Sequence, residues 1–116
     1  MSMSNSALLA AASAATLLLA PSIATAADAA AAQALARQSG CFTCHAVDKP
    51  KVATSWTDVA TKLKGDKDAQ AKLITHLTTG PKVKSLDGSE SQHPVIKTKD
   101  QEQIKNLVDW ILSLAK

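Results

Sequence analysis

Two cysteines and a histidine lie within five consecutive residues, Cys41-Phe42-Thr43-Cys44-His45, and the 116-residue chain has no other cysteine. Two thiols at this spacing can form thioether bonds to the two vinyl groups of a porphyrin. A histidine directly after the second thiol is then held beneath the iron. A C-x-x-C-H sequence is therefore typical of covalent haem attachment. We predict that Cys41 and Cys44 bind one haem c and that His45 is its proximal iron ligand.

Other chemistries use the same pair of thiols. A thioredoxin-like dithiol needs an α/β scaffold, and the sequence shows no strand pattern. Zinc could bind Cys41, Cys44 and two of the three histidines. A structural disulfide between cysteines this close in sequence is strained and rare. Haem is favoured because the motif, an export signal and a helical context agree.

The first 26 residues predict an export signal. Residues 7–20 form an apolar run of Ala, Leu and Ser that is too short to span a bilayer. Ala24-Thr25-Ala26 is a small-x-small cleavage pattern, although residues 1–6 lack the usual Lys or Arg. We predict cleavage after Ala26, a periplasmic location, and a mature domain of residues 27–116 without a membrane span.

Helical patterns cover most of this domain. Asp28 is a candidate N-cap for the first helix, and Thr98-Lys99-Asp100-Gln101 is a capping box for the last. Apolar residues then recur at helical spacing up to Leu114. Four helices are therefore predicted, over residues 29–39, 56–63 and 69–79 and from residue 98 onward.

Residues 81–97 show no hydrophobic period and contain Gly88, Pro94 and three serines. We predict a long loop, and loops of this length in a compact domain are often functional. The predicted fold class is all-α, with about four helices around a cofactor.

The composition limits what else the domain can be. Its aromatic residues are Phe42, Trp56 and Trp110, so the core is thin and a cofactor is expected to stabilise it. All 13 basic and 10 acidic side chains follow the leader, giving a net charge of +3. No basic run is interleaved with aromatic residues, so nucleic-acid binding is not predicted.

Several segments together resemble the class I cytochromes c in their small bacterial monohaem form. They are the residues around the C-x-x-C-H motif, Trp56-Thr57-Asp58-Val59-Ala60, and Leu107-Val108-Asp109-Trp110-Ile111. The resemblance implies that residues 27–116 form a cytochrome c domain with a class I fold around one haem, in which the N- and C-terminal helices cross. It also implies an electron carrier rather than an enzyme.

The resemblance assigns roles to two further residues. Trp56 is a candidate hydrogen-bond donor to a haem propionate, while its alternative role is to fill the core. In the family a proline carbonyl accepts the N–H bond of the proximal histidine. Thr54 stands at the matching place in this chain, and its carbonyl is predicted to do the same.

The distal ligand departs from the family pattern. Relatives use a methionine followed by proline, but the two methionines here, Met1 and Met3, both lie in the leader. His93 is followed by Pro94 at the place where the Met-Pro pair would lie. We predict that His93 is the sixth ligand and that the iron is bound by two histidines, His45 and His93.

Other occupants of the sixth position remain open. His76 is a rival, although its helical position suggests an exposed residue. Lys82 or Lys84 could bind the iron after losing a proton, and the iron could also stay five-coordinate. A labile sixth ligand would favour an alternative function, binding small gaseous ligands or sensing the redox state.

Two properties follow from these predictions. Imidazole favours ferric iron more than methionine does, so a reduction potential below that of methionine-ligated relatives is expected. Lysines dominate the loops and would steer acidic redox partners toward the haem edge. The protein is expected to act as a monomer.

Overall fold

The computed structural model describes residues 11–20 and 26–116. Residues 11–20 have no regular secondary structure, and Leu17, Leu18 and Leu19 are almost fully exposed. Residues 24 and 25 of the predicted cleavage pattern lie outside the described residues.

Four helices and one hairpin make up the fold of residues 26–116. They follow in the order α1 (Ala29–Gln38), α2 (Trp56–Lys62), α3 (Ala69–Thr79), β1 (Lys82–Lys84), β2 (Glu90–Gln92) and α4 (Gln101–Ser113). A 3₁₀ turn, Cys41–Thr43, follows α1 directly. The four predicted helices are therefore present, with ends within three residues of the predicted ones.

The first and last helices cross, as predicted. Ala32 and Ala36 of α1 are almost completely buried, and their small side chains let the backbone of α4 approach closely. Two hydrogen bonds fix the crossing. The Asp28 N–H donates to Asn106 Oδ1 at 2.8 Å, and Asn106 Nδ2 donates to the Asp28 carbonyl at 2.9 Å.

Helix α4 lies at the centre of the packing because it also contacts α2 and α3. Its residues Ile104, Leu107 and Ile111 are buried in the core. Gln70 of α3 donates a hydrogen bond of 2.5 Å to Asp109 Oδ1, which fixes α3 against α4. No helix among residues 11–20 and 26–116 is long and apolar enough to cross a membrane.

The segment after α3 is more regular than predicted. Residues 81–97 were expected to form a loop, but β1 and β2 pair antiparallel within it, with Val83 opposite Ser91. Gly88, at φ +89°, forms part of the five-residue connection between the two strands. This hairpin leads directly into His93.

Candidate haem-binding site

The thiols of the motif are presented by a tight turn. Gly40, at φ +74°, ends α1 and lets the chain enter the 3₁₀ turn. The His45 N–H then donates to the Cys41 carbonyl at 3.0 Å. Cys41 and Cys44 are free, partly buried thiols, and burial raises the pKa of the Cys41 thiol. The turn therefore holds Cys41, Cys44 and His45 at one wall of the same cavity.

The proximal imidazole lies inside the protein. The His45 ring stacks on that of Trp56, with centroids 5.3 Å apart and planes 21° apart. Burial lowers the pKa of His45, and the nearby His93 and His76 act in the same direction. The imidazole is therefore held in the neutral form that binds metals.

Thr54 lies close to the proximal histidine. Its backbone carbonyl acts to raise the pKa of His45, against the larger effect of burial. Nevertheless, His45 Nδ1 is buried and makes no hydrogen bond of normal geometry within the described residues. A buried ring nitrogen without a hydrogen-bond partner is unusual. A bound ligand or a small shift of the backbone would give this nitrogen its partner. The role of Thr54 stays a prediction.

A cavity of about 500 Å³ opens in front of the motif. This volume is in the range of small-molecule and cofactor sites. Its walls are mainly apolar and come from α2, α3, α4 and the hairpin, including Trp56, Leu73, Leu77, Leu107 and Ile111. A flat apolar cofactor attached to the two thiols fits these walls.

His93 faces His45 across this cavity, with ring centroids 6.2 Å apart. The His93 N–H donates to the Pro81 carbonyl at 2.9 Å, which ties the residue to the end of α3. His93 Nδ1 lies 2.8 Å from the Pro94 carbonyl and donates to it, because a carbonyl can only accept. This leaves the other ring nitrogen as the one able to bind a metal.

Gly80 determines where the backbone of His93 runs. The glycine is buried at φ +58°, and a Cβ there would lie 2.6 Å from the His93 carbonyl oxygen. Gln92 adds a hydrogen bond from its side chain to the Gly80 carbonyl. Gly80 directly follows the helix predicted over residues 69–79, and its proximity to His93 has no local sequence signal because it depends on the tertiary fold.

His76 is placed differently from its predicted exposed position. It is half-buried, lines the cavity, and has its ring centroid 4.3 Å from that of His93 in an edge-on arrangement. Of the two lysines considered as ligands, Lys84 lines the cavity and Lys82 does not. The cysteines and histidines form no group of three or more able to hold a metal ion by themselves among the described residues.

The residues therefore fit a covalently attached haem. Two free thiols, a neutral imidazole and a second imidazole all border one apolar cavity. Residues 29–115 match the cytochrome c family. The chain belongs to this family, and it is a small monohaem class I cytochrome c with one covalently bound haem c as its cofactor.

Two curated relatives illustrate the family membership. Cytochrome c-551 of Allochromatium vinosum is 37% identical, over 69% of this chain and 82% of that protein. Cytochrome c2 of Rhodocyclus tenuis is 36% identical, over 70% of this chain and 89% of that protein. The relatives are electron carriers that act with redox partners, and electron transfer is the function of this chain as well.

Solved structures agree with the fold. The class 1 cytochrome MtoD from Sideroxydans lithotrophicus ES-1 is 54% identical, with a TM-score of 0.73 over 77% of this chain and 98% of that chain. Cytochrome c552 of Nitrosomonas europaea is 27% identical, with a TM-score of 0.56 over 71% of this chain and 98% of that chain. The predicted class I cytochrome c fold is confirmed.

Proposed function

We propose that this protein is an exported, periplasmic single-electron carrier whose haem iron is bound by two histidines, His45 and His93. When bound, the haem supplies an iron that alternates between the ferrous and ferric states. The chain attaches the group through Cys41 and Cys44, positions it between two imidazoles, and excludes water with apolar walls.

The separation of the two imidazoles is the observation that carries the proposal. With metal–imidazole bonds of about 2.1 Å and ring centres about 1 Å beyond each nitrogen, imidazoles on opposite sides of one metal have centroids about 6 Å apart. The centroids of His45 and His93 are 6.2 Å apart. His93 Nδ1 also donates to a carbonyl, which leaves its other nitrogen for the iron.

The ligand set determines the expected potential. Methionine stabilises ferrous iron, and imidazole is a stronger donor that favours ferric iron. Axial ligation is one of the main protein contributions to the potential of a haem. We therefore expect a potential below that of His/Met relatives.

The surface around the cavity suits an acidic redox partner. Apart from Leu17, Leu18 and Leu19, the large apolar side chains most exposed in the described residues are Val52, Leu86 and Val95, at 43%, 54% and 53%. All three line the cavity mouth, where Lys84 also lies. We name these four residues the rim. Apolar contact area bordered by positive charge is the arrangement that docks and steers acidic surfaces. A monomer leaves this surface free for a partner.

Export is supported by the composition of the N-terminal segment. The apolar run of residues 7–20 and the Ala24-Thr25-Ala26 pattern are those of a cleaved leader. Residues 11–20 are fully exposed and without regular structure, so they add nothing to the packed core. The mature protein would then comprise residues 27–116.

Replacement of His93 by Met tests the ligand assignment. The purified wild-type ferric protein should be low-spin without a methionine–iron charge-transfer band. His93→Met should gain that band and show a higher reduction potential. Identical spectra and potentials for the two proteins would contradict the assignment of His93.

The same samples test the alternative function. A carrier with two firmly bound histidines stays low-spin when reduced and does not bind carbon monoxide. Rapid carbon monoxide binding by the reduced wild-type protein would favour a small-ligand haem protein or sensor. The N-terminal residue of the mature protein, measured by mass spectrometry after export, tests cleavage after Ala26.

A further inference from the structure

We propose that His76 is a reserve distal ligand, which binds the haem iron when His93 leaves it. This inference rests on the proposed function, because it takes His93 as the resident ligand. It adds a second histidine to the distal side and predicts that loss of the first does not open the iron to solvent.

The position of His76 on α3 is the first support. Leu73 and Leu77, one turn before and directly after His76, line the same cavity. His76 is itself half-buried and lines this cavity. Its side chain is therefore directed to the cofactor side of the helix.

The distance to His93 is the second support. The two ring centroids are 4.3 Å apart, and the rings meet edge to face. His93 faces His45 with ring centroids 6.2 Å apart, and His76 lines the same cavity. When His93 leaves the iron, the imidazole of His76 already borders the vacated position.

His76 and His93 lie on chain segments of different rigidity. His76 lies within α3, which is fixed to α4 by the Gln70–Asp109 hydrogen bond of 2.5 Å. His93 follows a two-stranded hairpin, and its neighbours Pro94 and Val95 are exposed. The His93 N–H is bonded to the Pro81 carbonyl, but His93 itself lies outside any helix or strand. Its side chain is therefore the one that can leave the iron more easily, and His76 stays at the cavity.

Within the described residues the structure gives His76 no other partner. Its ring makes no side-chain hydrogen bond and no ion pair there, and its one aromatic contact is with His93. An imidazole directed into a cavity without a hydrogen-bond partner has its nitrogens available for a metal.

Four proteins test the proposal: wild type, His76→Ala, His93→Ala and the double variant. Each is exported with haem attached, and ferric spectra are recorded at neutral pH. Histidine labelled with ¹⁵N in the ring lets pulsed paramagnetic resonance count the bound imidazoles. We expect two imidazoles and a low-spin iron in wild type, His76→Ala and His93→Ala, with altered g values in the last. The double variant should lose the low-spin signal and bind one imidazole.

Three other results would contradict the proposal or the ligand assignment on which it rests. High-spin iron in His93→Ala, equal to that in the double variant, would overturn the reserve role and leave the proposed ligands intact. Low-spin iron with only one labelled imidazole in His93→Ala would show that a residue other than His76, such as a lysine, fills the site, and it would also overturn the proposal. A high-spin His76→Ala beside an unchanged His93→Ala would instead refute the assignment of His93 itself.

Folding of the His93 variant is controlled separately. Circular dichroism and the covalent haem content of each variant are measured before the spectra are compared. If His93→Ala is not folded, His93→Asn is used, because it retains size and polarity and is a poor iron ligand. Low-spin iron with two imidazoles in His93→Asn, absent from the double variant His76→Ala/His93→Asn, would support the proposal. High-spin iron in His93→Asn would overturn it.

Discussion

The carbonyl of His93 lies directly against Gly80, so closely that any Cβ at residue 80 would be 2.6 Å from its oxygen. The side chain of Val95 would be 2.9 Å from the same Cβ. The end of α3 and the segment with the distal histidine are therefore in backbone contact. A side chain at this glycine would move the candidate ligand.

Gly80→Ala should disturb the distal ligand more than it disturbs the fold. We expect a larger high-spin fraction and faster carbon monoxide binding by the reduced protein, since the alanine pushes His93 away. The positive φ alone costs about 1 to 2 kcal/mol for a non-glycine residue. Gly88→Ala is the matched control, because Gly88 also has a positive φ but no atom within 4 Å of the place that its new methyl group would take. Equal spectra for the two variants would contradict this prediction.

Thr54→Pro should leave the proximal ligand unchanged. The role proposed for Thr54 uses its carbonyl, which proline retains, and its N–H makes no backbone hydrogen bond in the described residues. The thermal midpoint should stay equal or rise, because proline restricts the unfolded chain and contributes about 0.4 to 1 kcal/mol where its φ is compatible. Thr54→Ala is the control for loss of the hydroxyl. Loss of low-spin iron in Thr54→Pro but not in Thr54→Ala would contradict the prediction and show that the backbone at residue 54 needs a conformation that proline cannot adopt.

The N-cap of α1 and the contact between α1 and α4 should be separable by mutation. Asp28→Ala removes the cap on the Ala31 N–H but retains the bonds between the Asp28 backbone and the Asn106 side chain. Asn106→Ala removes those bonds and retains the cap. Loss of an N-cap costs about 1 kcal/mol, and an exposed hydrogen bond contributes about 1 kcal/mol. Asn106→Ala removes two such bonds, so urea unfolding should give a loss of about 2 kcal/mol for it and about 1 kcal/mol for Asp28→Ala. Asp28→Asn, which can still cap, should lose less than Asp28→Ala, and equal losses for these two would speak against the cap.

The protein without haem should not hold its fold. Without haem, the mainly apolar walls of a cavity of about 500 Å³ are in contact with water instead of the porphyrin, and this apolar burial is lost. A typical domain is stable by only about 5 to 15 kcal/mol, so a small domain with a thin core should be strongly destabilised. The double variant Cys41→Ala/Cys44→Ala should therefore lose most of its helical circular dichroism signal when no haem is added. A cooperative thermal transition in the haem-free variant would refute this expectation.

Charge at the rim should affect electron transfer with anionic reagents. Lys84→Glu should slow reduction of ferricyanide by the reduced protein at low ionic strength, by up to about tenfold, because it reverses a charge at the cavity mouth. The difference should shrink as salt screens the charge. Lys99→Glu makes the same charge change at a residue that does not line the cavity. Equal slowing in both variants would indicate net charge rather than the rim.

The sequence predicted the elements with local signals and missed those that depend on tertiary contact. The cap at Asp28 is present, with its carboxylate accepting from the Ala31 N–H at 3.0 Å. The cap of the last helix was wrong by two residues. Asp100 caps α4, and Thr98 accepts from the Asp100 N–H instead. Both residues are good caps, and the backbone conformation decides which one is used.

The hairpin escaped prediction because each strand is only three residues long, and Val83 is the one apolar residue in the two strands. Its one local signal is Asp87-Gly88, a dipeptide typical of hairpin turns. The inward position of His76 was missed for a related reason. It lies at the edge of the apolar face of α3, where helical periodicity cannot distinguish a cavity wall from the surface.

The candidate site combines a local signal with a signal from family resemblance. The spacing of Cys41, Cys44 and His45 makes these residues neighbours in any fold. His93 was predicted because His93-Pro94 stands at the place of the family's Met-Pro pair and no methionine follows the leader. The structure places His93 opposite His45, and its role as a ligand stays a prediction. The rim could not be predicted, because Val52, Leu86 and Val95 come from separate segments and become neighbours only in the folded chain.

The mouth of the cavity is closed by two segments that are distant in the chain. The Leu86 N–H donates to the Val52 carbonyl at 2.9 Å, which ties the hairpin to the segment that follows the thiols. Cys41 and Cys44 precede Leu86 by about 40 residues. Under the export proposed above, a chain that crosses the membrane from its N-terminus would present both thiols before the residues that close the mouth, and the thiols would stay accessible for haem attachment until the hairpin docks.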